Sequence, residues 1–156
     1  GKYDNLRYTS TVADKLCELG RYGQKTSKGF YIYDKTTRER SVDQEVNEMF
    51  KKVAEEKGIK RREISDNEIL SRLNWALLLT GCMILEEGFA LKASDIDVIY
   101  AYGYGYPNWR GGPMKYAEDY GLDKALREIE SFRNYGDGMW PNSSLLERLA
   151  NGEKKF

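Results

Sequence analysis

The segment Ser65-Asp66-Asn67-Glu68, followed by a long and densely apolar run, constrains this chain more than any other. Ser and Glu stand at the N-cap and N3 positions of a capping box, where each side chain satisfies a backbone N–H that a helix start leaves orphaned. Ile69, Leu73, Ala76, Leu77, Thr80, Ile84 and Leu85 then recur at helical spacing, to about Gly88. Further Leu residues make this helix apolar on most sides, so other helices must pack around it. Gly81 at its middle permits another helix to come close. The greasiest part, Trp75 to Leu85, is broken by Thr80, Gly81 and Cys82. It falls short of the roughly 20 apolar residues that cross a bilayer, which predicts a buried helix and no membrane span.

The same period recurs along the chain. After an irregular lead-in over residues 1–9, Ser10 or Thr11 is placed to cap a short helix from Val12 to Leu19, with Val12, Leu16 and Leu19 on one face and Gly20 after it. Residues 23–34 begin as a polar, glycine-bounded loop and end in alternating aromatic and aliphatic residues, a possible short extended segment. Residues 35–40 read as a linker. Val42, Val46, Met49 and Val53, widened by Phe50, form the apolar stripe of a helix to Lys57. The triplet Lys60-Arg61-Arg62 has acidic neighbours on both sides and reads as a solvated turn.

Beyond the long helix, Ser94 is expected to cap a helix from Asp95 to Tyr102, with Asp95 and Asp97 complementing the macrodipole. Pro113 suits the first turn of a helix to Tyr120. Helices from Asp123 to Asn134 and after Asn142 or Ser143 complete the pattern, the last burying Leu145, Leu146 and Leu149. About seven helices with almost no strand signal make an all-α bundle. The segment from Val12 to Leu16, followed by a glycine and a lysine-bearing tail, echoes Leu145 to Leu149, Gly152 and Lys154-Lys155. That echo suggests one repeat unit ending near residue 34 and another at the C-terminus.

Composition narrows the chemistry. There is no histidine, so the commonest general base and the commonest metal ligand are both missing. Lys plus Arg and Asp plus Glu each number 25, a balance that offers no global attraction to nucleic acid or an anionic membrane. Cys17 and Cys82 lie far apart in apolar helical patterns and read as reduced core thiols, with a disulfide as the alternative. No cysteine cluster suits zinc. Gly103-Tyr104-Gly105 lacks the third glycine of a dinucleotide fingerprint and follows a helix, not a strand. No catalytic or metal-binding residue is assigned.

Two segments remain. Gly23 to Tyr33 holds Lys25, Thr26, Ser27 and Lys28 between glycines, a composition that suits either a tight loop anchored by Phe30 and Tyr31 or a phosphate cradle. Gly103 to Met114 places Tyr106, Pro107 and Trp109 in a glycine-rich loop before Pro113. It serves either as a helix connection that plugs the core or as a contact surface. Glu86-Glu87 lies near the end of the long helix, where negative charge is unfavourable, and a salt bridge to another element is expected.

Gly23-Gln24-Lys25-Thr26-Ser27-Lys28-Gly29-Phe30-Tyr31 resembles the ending of the helical domain of 3-hydroxyacyl-CoA dehydrogenases. Ile96-Asp97, Gly105-Tyr106-Pro107, Gly112-Pro113-Met114 and Tyr120-Gly121-Leu122-Asp123 resemble elements from the body of that domain. The ending precedes the body, which is the order expected of two copies. The resemblance therefore implies the tail of a first copy at 1–34, a helical connector at 35–64 and a second copy at 65–156. The four residues Asn108 to Gly111 between two of the elements resemble the peroxisomal bifunctional type.

This resemblance implies an NAD-dependent parent enzyme that oxidises 3-hydroxyacyl-CoA to 3-ketoacyl-CoA in fatty-acid β-oxidation, fused to an enoyl-CoA hydratase. An upstream Rossmann domain would bind NAD and carry the chemistry, with the first helical repeat beside it and acyl-CoA as substrate. The present chain would bind no cofactor and act as a structural, dimer-mimicking lid. Lys25, Thr26, Lys28, Tyr106, Pro107, Trp109 and Pro113 would contribute to a substrate or domain interface. The family's Asn in an N-R-L element corresponds to Ser71 of Ser71-Arg72-Leu73, so that contact is expected to be lost. Peroxisomal residence is implied by the resemblance alone, because the chain ends in Lys155-Phe156 and not in a targeting tripeptide. The alternative is a free-standing helical interaction module, which the aromatic loops at 102–109 and 135–140 would serve.

Overall fold

Ser65 caps the long helix as its sequence requires, its Oγ accepting from the Glu68 N–H at 3.2 Å. In the computed structural model, which describes residues 11–135, 140–153 and 156, the chain divides into two units, 1–63 and 64–156. The lead-in at 1–9, the cap candidate Ser10, part of the loop at 135–140 and the tail lysines Lys154 and Lys155 lie outside the described residues.

The first unit contains α1 (Thr11–Glu18), a 3-10 turn (Gln24–Thr26), β1 (Tyr31–Tyr33), β2 (Arg40–Val42) and α2 (Gln44–Glu56). Val12 and Leu16 of α1 meet Val46 and Val53 of α2 in a small core, with Met49 against it. Asp43 starts α2 by accepting the Glu45 N–H at 2.9 Å, and its carboxylate also pairs with the Arg21 guanidinium. That hydrogen bond from Arg21, with burial opposing it, holds the Asp43 carboxyl below the usual range.

Four expectations fail here. Residues 35–40 are not simply a linker, because β1 and β2 form an antiparallel hairpin with Tyr31 opposite Val42 and Tyr33 opposite Arg40. Val42 therefore belongs to a strand and is 61% exposed, and the helix begins two residues later behind the Asp43 cap. Leu19 lies past the end of α1 and is also exposed, as is Cys17, which is a free thiol outside the core.

Among its described residues the second unit has only helical elements: α3 (Asp66–Glu86), α4 (Ala93–Gly103), a 3-10 turn (Asn108–Arg110), α5 (Pro113–Tyr120), α6 (Leu122–Arg133) and α7 (Ser144–Ala150). Its core gathers Trp75, Leu78, Leu79 and Cys82 of α3 with Ile96, Met114, Ala117, Ala125, Ile129, Phe132, Trp140 and Leu146. By length and composition α3 could cross a membrane, but these side chains are spent on packing within the unit.

The face of α3 that packs differs from the expected stripe. Ile69 and Leu73 are exposed, at 45% and 62%, while Trp75, Leu78, Leu79 and Cys82 go inside. Periodicity could not choose between faces on a helix apolar nearly all round, and the burial of Trp75 decided it. Helix α4 starts at Ala93, with the Lys92 N–H donated to Asp95 Oδ2 at 3.1 Å, so Ser94 is not its cap. Ser143 does cap α7, accepting the Leu146 N–H at 3.2 Å.

Gly81 is where α3 comes closest to α5. A Cβ built there would lie 2.4 Å from Met114 Sδ, and Met114 is fully buried. Gly81→Ala is expected to cost about 1–3 kcal/mol by overpacking. Shortening the opposing side chain with Met114→Ala should make the pair couple favourably in a double-mutant cycle read by urea unfolding. Additive effects would place the contact elsewhere.

Candidate functional site

The motif residues of the second unit converge on the start of α5. Asp97, on α4, is buried, and its two carboxylate oxygens accept the backbone N–H groups of Met114 and Lys115 at 2.8 and 3.1 Å. A helix start exposes unpaired N–H groups and partial positive charge, so a carboxylate from a neighbouring helix satisfies both at once. Burial pushes the Asp97 carboxyl up, against these two bonds, which favour its charge.

Gly112 makes this approach possible. Its φ is +132°, and a Cβ there would fall 2.3 Å from Asp97 Oδ1. Pro113 follows at the first helical position, buried, where its missing N–H costs nothing. Ile-Asp and Gly-Pro-Met are thus two halves of one joint. The expectation that Asp97 serves the dipole of its own helix is corrected: it serves that of α5.

Glu86 repeats the device. Instead of the expected salt bridge, it accepts Ser144 Oγ at 2.6 Å, the Leu145 N–H at 2.8 Å and Ser143 Oγ at 3.4 Å, all at the start of α7. Burial works against its charge, yet these hydrogen bonds hold its carboxyl below the usual range.

A third carboxylate, Glu128 on α6, accepts Trp75 Nε1–H at 2.7 Å and the Tyr120 hydroxyl, with the Ser71 hydroxyl also favouring its charge. Burial again opposes the charge and the donors win, keeping Glu128 below its usual range, while Tyr120 is pushed up to about 12 by the same bond. Ser71 thus faces a pocket of about 430 Å³ that Glu68 and Glu128 also line. Its neighbour Arg72 pairs with Glu68 at 2.9 Å and lies 4.3 Å over the Phe132 ring and 5.0 Å over that of Tyr135.

Tyr106 anchors the loop after α4, donating its hydroxyl to Asn74 Oδ1 at 2.7 Å. Asn74 is three residues beyond Ser71 on α3, so the loop is tied to the same helix face. Pro107 is exposed and Trp109 is 78% exposed. The Arg110 guanidinium sits 4.3 Å from the Trp109 ring and 4.9 Å from Tyr116, forming one wall of a groove of about 580 Å³. Tyr106 and Pro113 are thus framework, whereas Pro107 and Trp109 face outward.

In the first unit, Thr26 knots its loop: Oγ1 accepts the Tyr22 N–H at 2.9 Å and donates toward the Lys28 carbonyl at 2.8 Å. Lys25 and Lys28 are both exposed. Among the described residues, no group of three or more Cys, Asp or Glu is placed to hold a metal ion.

Comparison with known proteins then decides the lineage. Residues 69–155 match the family model described as 3-hydroxyacyl-CoA dehydrogenase, C-terminal domain, which is more than half of the chain. The chain belongs to this family. It is 44% identical over 132 residues to the peroxisomal bifunctional enzyme of Cavia porcellus, covering 84% of the chain and 18% of that relative. To the Homo sapiens peroxisomal bifunctional enzyme it is 41% identical over 153 residues, 96% of the chain and 21% of the relative. To the fatty acid oxidation complex subunit alpha of Pseudomonas aeruginosa (strain LESB58) it is 30% identical over 149 residues, 94% of the chain and 20% of the relative. The chain thus spans about a fifth of the length of the curated relatives it matches. The all-α dehydrogenase C-terminal domain is the fold observed in the second unit.

Two outcomes follow from this geometry. Asp97→Ala is expected to cost about 2–3 kcal/mol, because two buried helix-start donors lose a charged acceptor. Asp97→Asn should cost less, and Gly112→Ala at least about 2 kcal/mol from strain and displacement of the carboxylate. Equal stability of all three by urea unfolding would contradict the joint.

The lowered values of Glu86 and Glu128 give a pH dependence. Their stabilisation is complete above the unfolded value near 4.5 and is lost as pH falls through the lower folded values. Asp97, raised, works with the opposite sign. Glu128→Gln should therefore flatten the acid limb of stability against pH, measured by urea unfolding at stepped pH; an unchanged limb would refute the assignment.

Proposed function

We propose that this chain is a non-catalytic, structural part of an NAD-dependent 3-hydroxyacyl-CoA dehydrogenase of fatty-acid β-oxidation, of the kind fused to an enoyl-CoA hydratase. The observation that carries this reading is the engagement of three carboxylates by donors of this same chain. Asp97, which is buried, and Glu86 accept at helix starts, and Glu128 accepts from Trp75 and Tyr120, so each is committed to the fold. The chain contains no histidine to take that role.

In this reading the hydride chemistry, the NAD and the acyl-CoA belong to a Rossmann domain and a first helical repeat of the parent. Residues 1–34 are the tail of that first repeat, 35–64 a connector and 65–156 a second repeat. The second repeat occupies the place that a partner subunit takes in single-copy relatives. Covalent linkage makes such an association intramolecular, at an effective concentration in the millimolar range for a short linker.

An apolar surface supports the contact role. Ile69, Leu70 and Leu73 on α3, Val98, Ile99 and Tyr102 on α4, and Trp109 in the following loop are all exposed. Lys25, Thr26, Lys28 and Pro107 contribute to a substrate or domain interface in the same reading. The names of the Cavia porcellus and Homo sapiens relatives support a peroxisomal setting.

The test has two parts. The chain alone, given NAD and a 3-hydroxyacyl-CoA, should form NADH no faster than the reagent blank. Substituted for the matching segment of the Cavia porcellus enzyme, it should preserve dehydrogenase activity, whereas Leu73→Asp in that chimaera should lower activity about tenfold or more without unfolding the isolated chain. Turnover by the chain alone, or indifference of the chimaera to Leu73→Asp, would refute the reading.

A further inference from the structure

The first unit carries a polar pocket of which the family reading uses only Lys25. It measures about 340 Å³ and is lined by Lys25, Ser27, Tyr33, Asp34, Lys35 and Arg38. Lys25 and Ser27 come from the loop after α1, and Tyr33 to Arg38 from the end of β1 and the turn into β2. The Tyr33 N–H donates to the Ser27 carbonyl at 2.9 Å, which fixes one segment against the other.

Three cations face one carboxylate here, and that carboxylate is already engaged. Asp34 Oδ1 accepts the Thr36 and Thr37 N–H groups, each at 2.7 Å, to form the hairpin turn. Among the described residues, Lys25, Lys35 and Arg38 make no ion pair, while the cations nearby that do, Lys15, Arg21 and Lys51, find theirs on α2 or its cap. Like charges gathered without a counter-charge repel one another, and an anionic ligand relieves that repulsion.

The backbone points to the same place. Ser27 (φ 59°) and Arg38 (φ 60°) are the only non-glycine residues with left-handed backbone among the described residues, and both line this pocket. Such conformations persist where surrounding structure enforces them, and they gather at ligand sites.

We propose that this pocket binds a phosphate-bearing small anion, a phosphomonoester or diphosphate group held by Lys25, Lys35 and Arg38. The Arg38 fork pairs with two phosphate oxygens, the lysines act as point charges, and the hydroxyls of Ser27 and Tyr33 add neutral donors. The site lies entirely within the first unit and does not depend on the dehydrogenase reading.

Calorimetric titration of the 156-residue chain with inorganic pyrophosphate tests it. Saturable one-to-one binding that weakens with added salt is expected. Lys35→Gln and Arg38→Gly should each weaken binding about tenfold. Glycine accepts the left-handed backbone, so the second variant keeps the turn, and an unchanged far-UV spectrum and unfolding midpoint verify this. Lys60→Gln, exposed and outside the pocket, should change affinity less than about twofold. No saturation below about 10 mM pyrophosphate, or equal weakening by Lys60→Gln, overturns the proposal. Coenzyme A, run as a second arm, identifies the source: tighter binding than pyrophosphate assigns the pocket to a nucleotide-borne phosphate, equal binding to the free anion, and both support the site.

Discussion

A carboxylate reaching the first amides of another helix is the interaction on which the second unit depends. Asp97 does this for α5 from a buried position and Glu86 for α7 from an exposed one. Each brings a formal charge to the positive end of a helix and satisfies donors that the helix start leaves unpaired. The joint also fixes geometry: it holds α4 against α5, and with α5 in place Met114 packs over Gly81 on α3.

This use of charge separates structure from chemistry. Perturbed carboxylates in a protein interior often mark a catalytic site. Here the same signature arises from helix starts and from the Trp75 and Tyr120 hydrogen bonds to Glu128. What distinguishes the cases is the partner list. Here the oxygens of these carboxylates are engaged by donors of the same chain. The exposed apolar residues of α3 and α4 stand apart from the packed face that builds the core.

The second unit was legible in outline because its helices announce their ends. Ser65 and Glu68, Pro113 and Ser143 gave correct starts, since capping is a local interaction between residues close in sequence. The hairpin was half legible. The alternating Phe30 to Tyr33 suggested an extended segment, but Arg40 to Val42 carries no such signal and becomes a strand only by pairing with it. Ser94 misled because the cap of α4 is built from the Asp95 side chain and the Lys92 N–H. Pro107 and Trp109 were correctly read as a loop, while the hydroxyl bond from Tyr106 to Asn74, which ties that loop down, spans 32 residues and leaves no local trace.

The sequence by itself determined the helical class, the family, the helix starts at Ser65, Pro113 and Ser143, and the absence of histidine from this chain, because each depends on residue type, spacing or local hydrogen bonding. The tertiary structure alone decided which face of α3 is buried, where Asp97 and Glu86 send their charge, and that Trp75 donates to Glu128. Those outcomes are contacts between residues far apart in the chain. A helix apolar on nearly every side has no preferred face until its neighbours arrive, and a carboxylate has no assigned donor until another helix start is placed beside it.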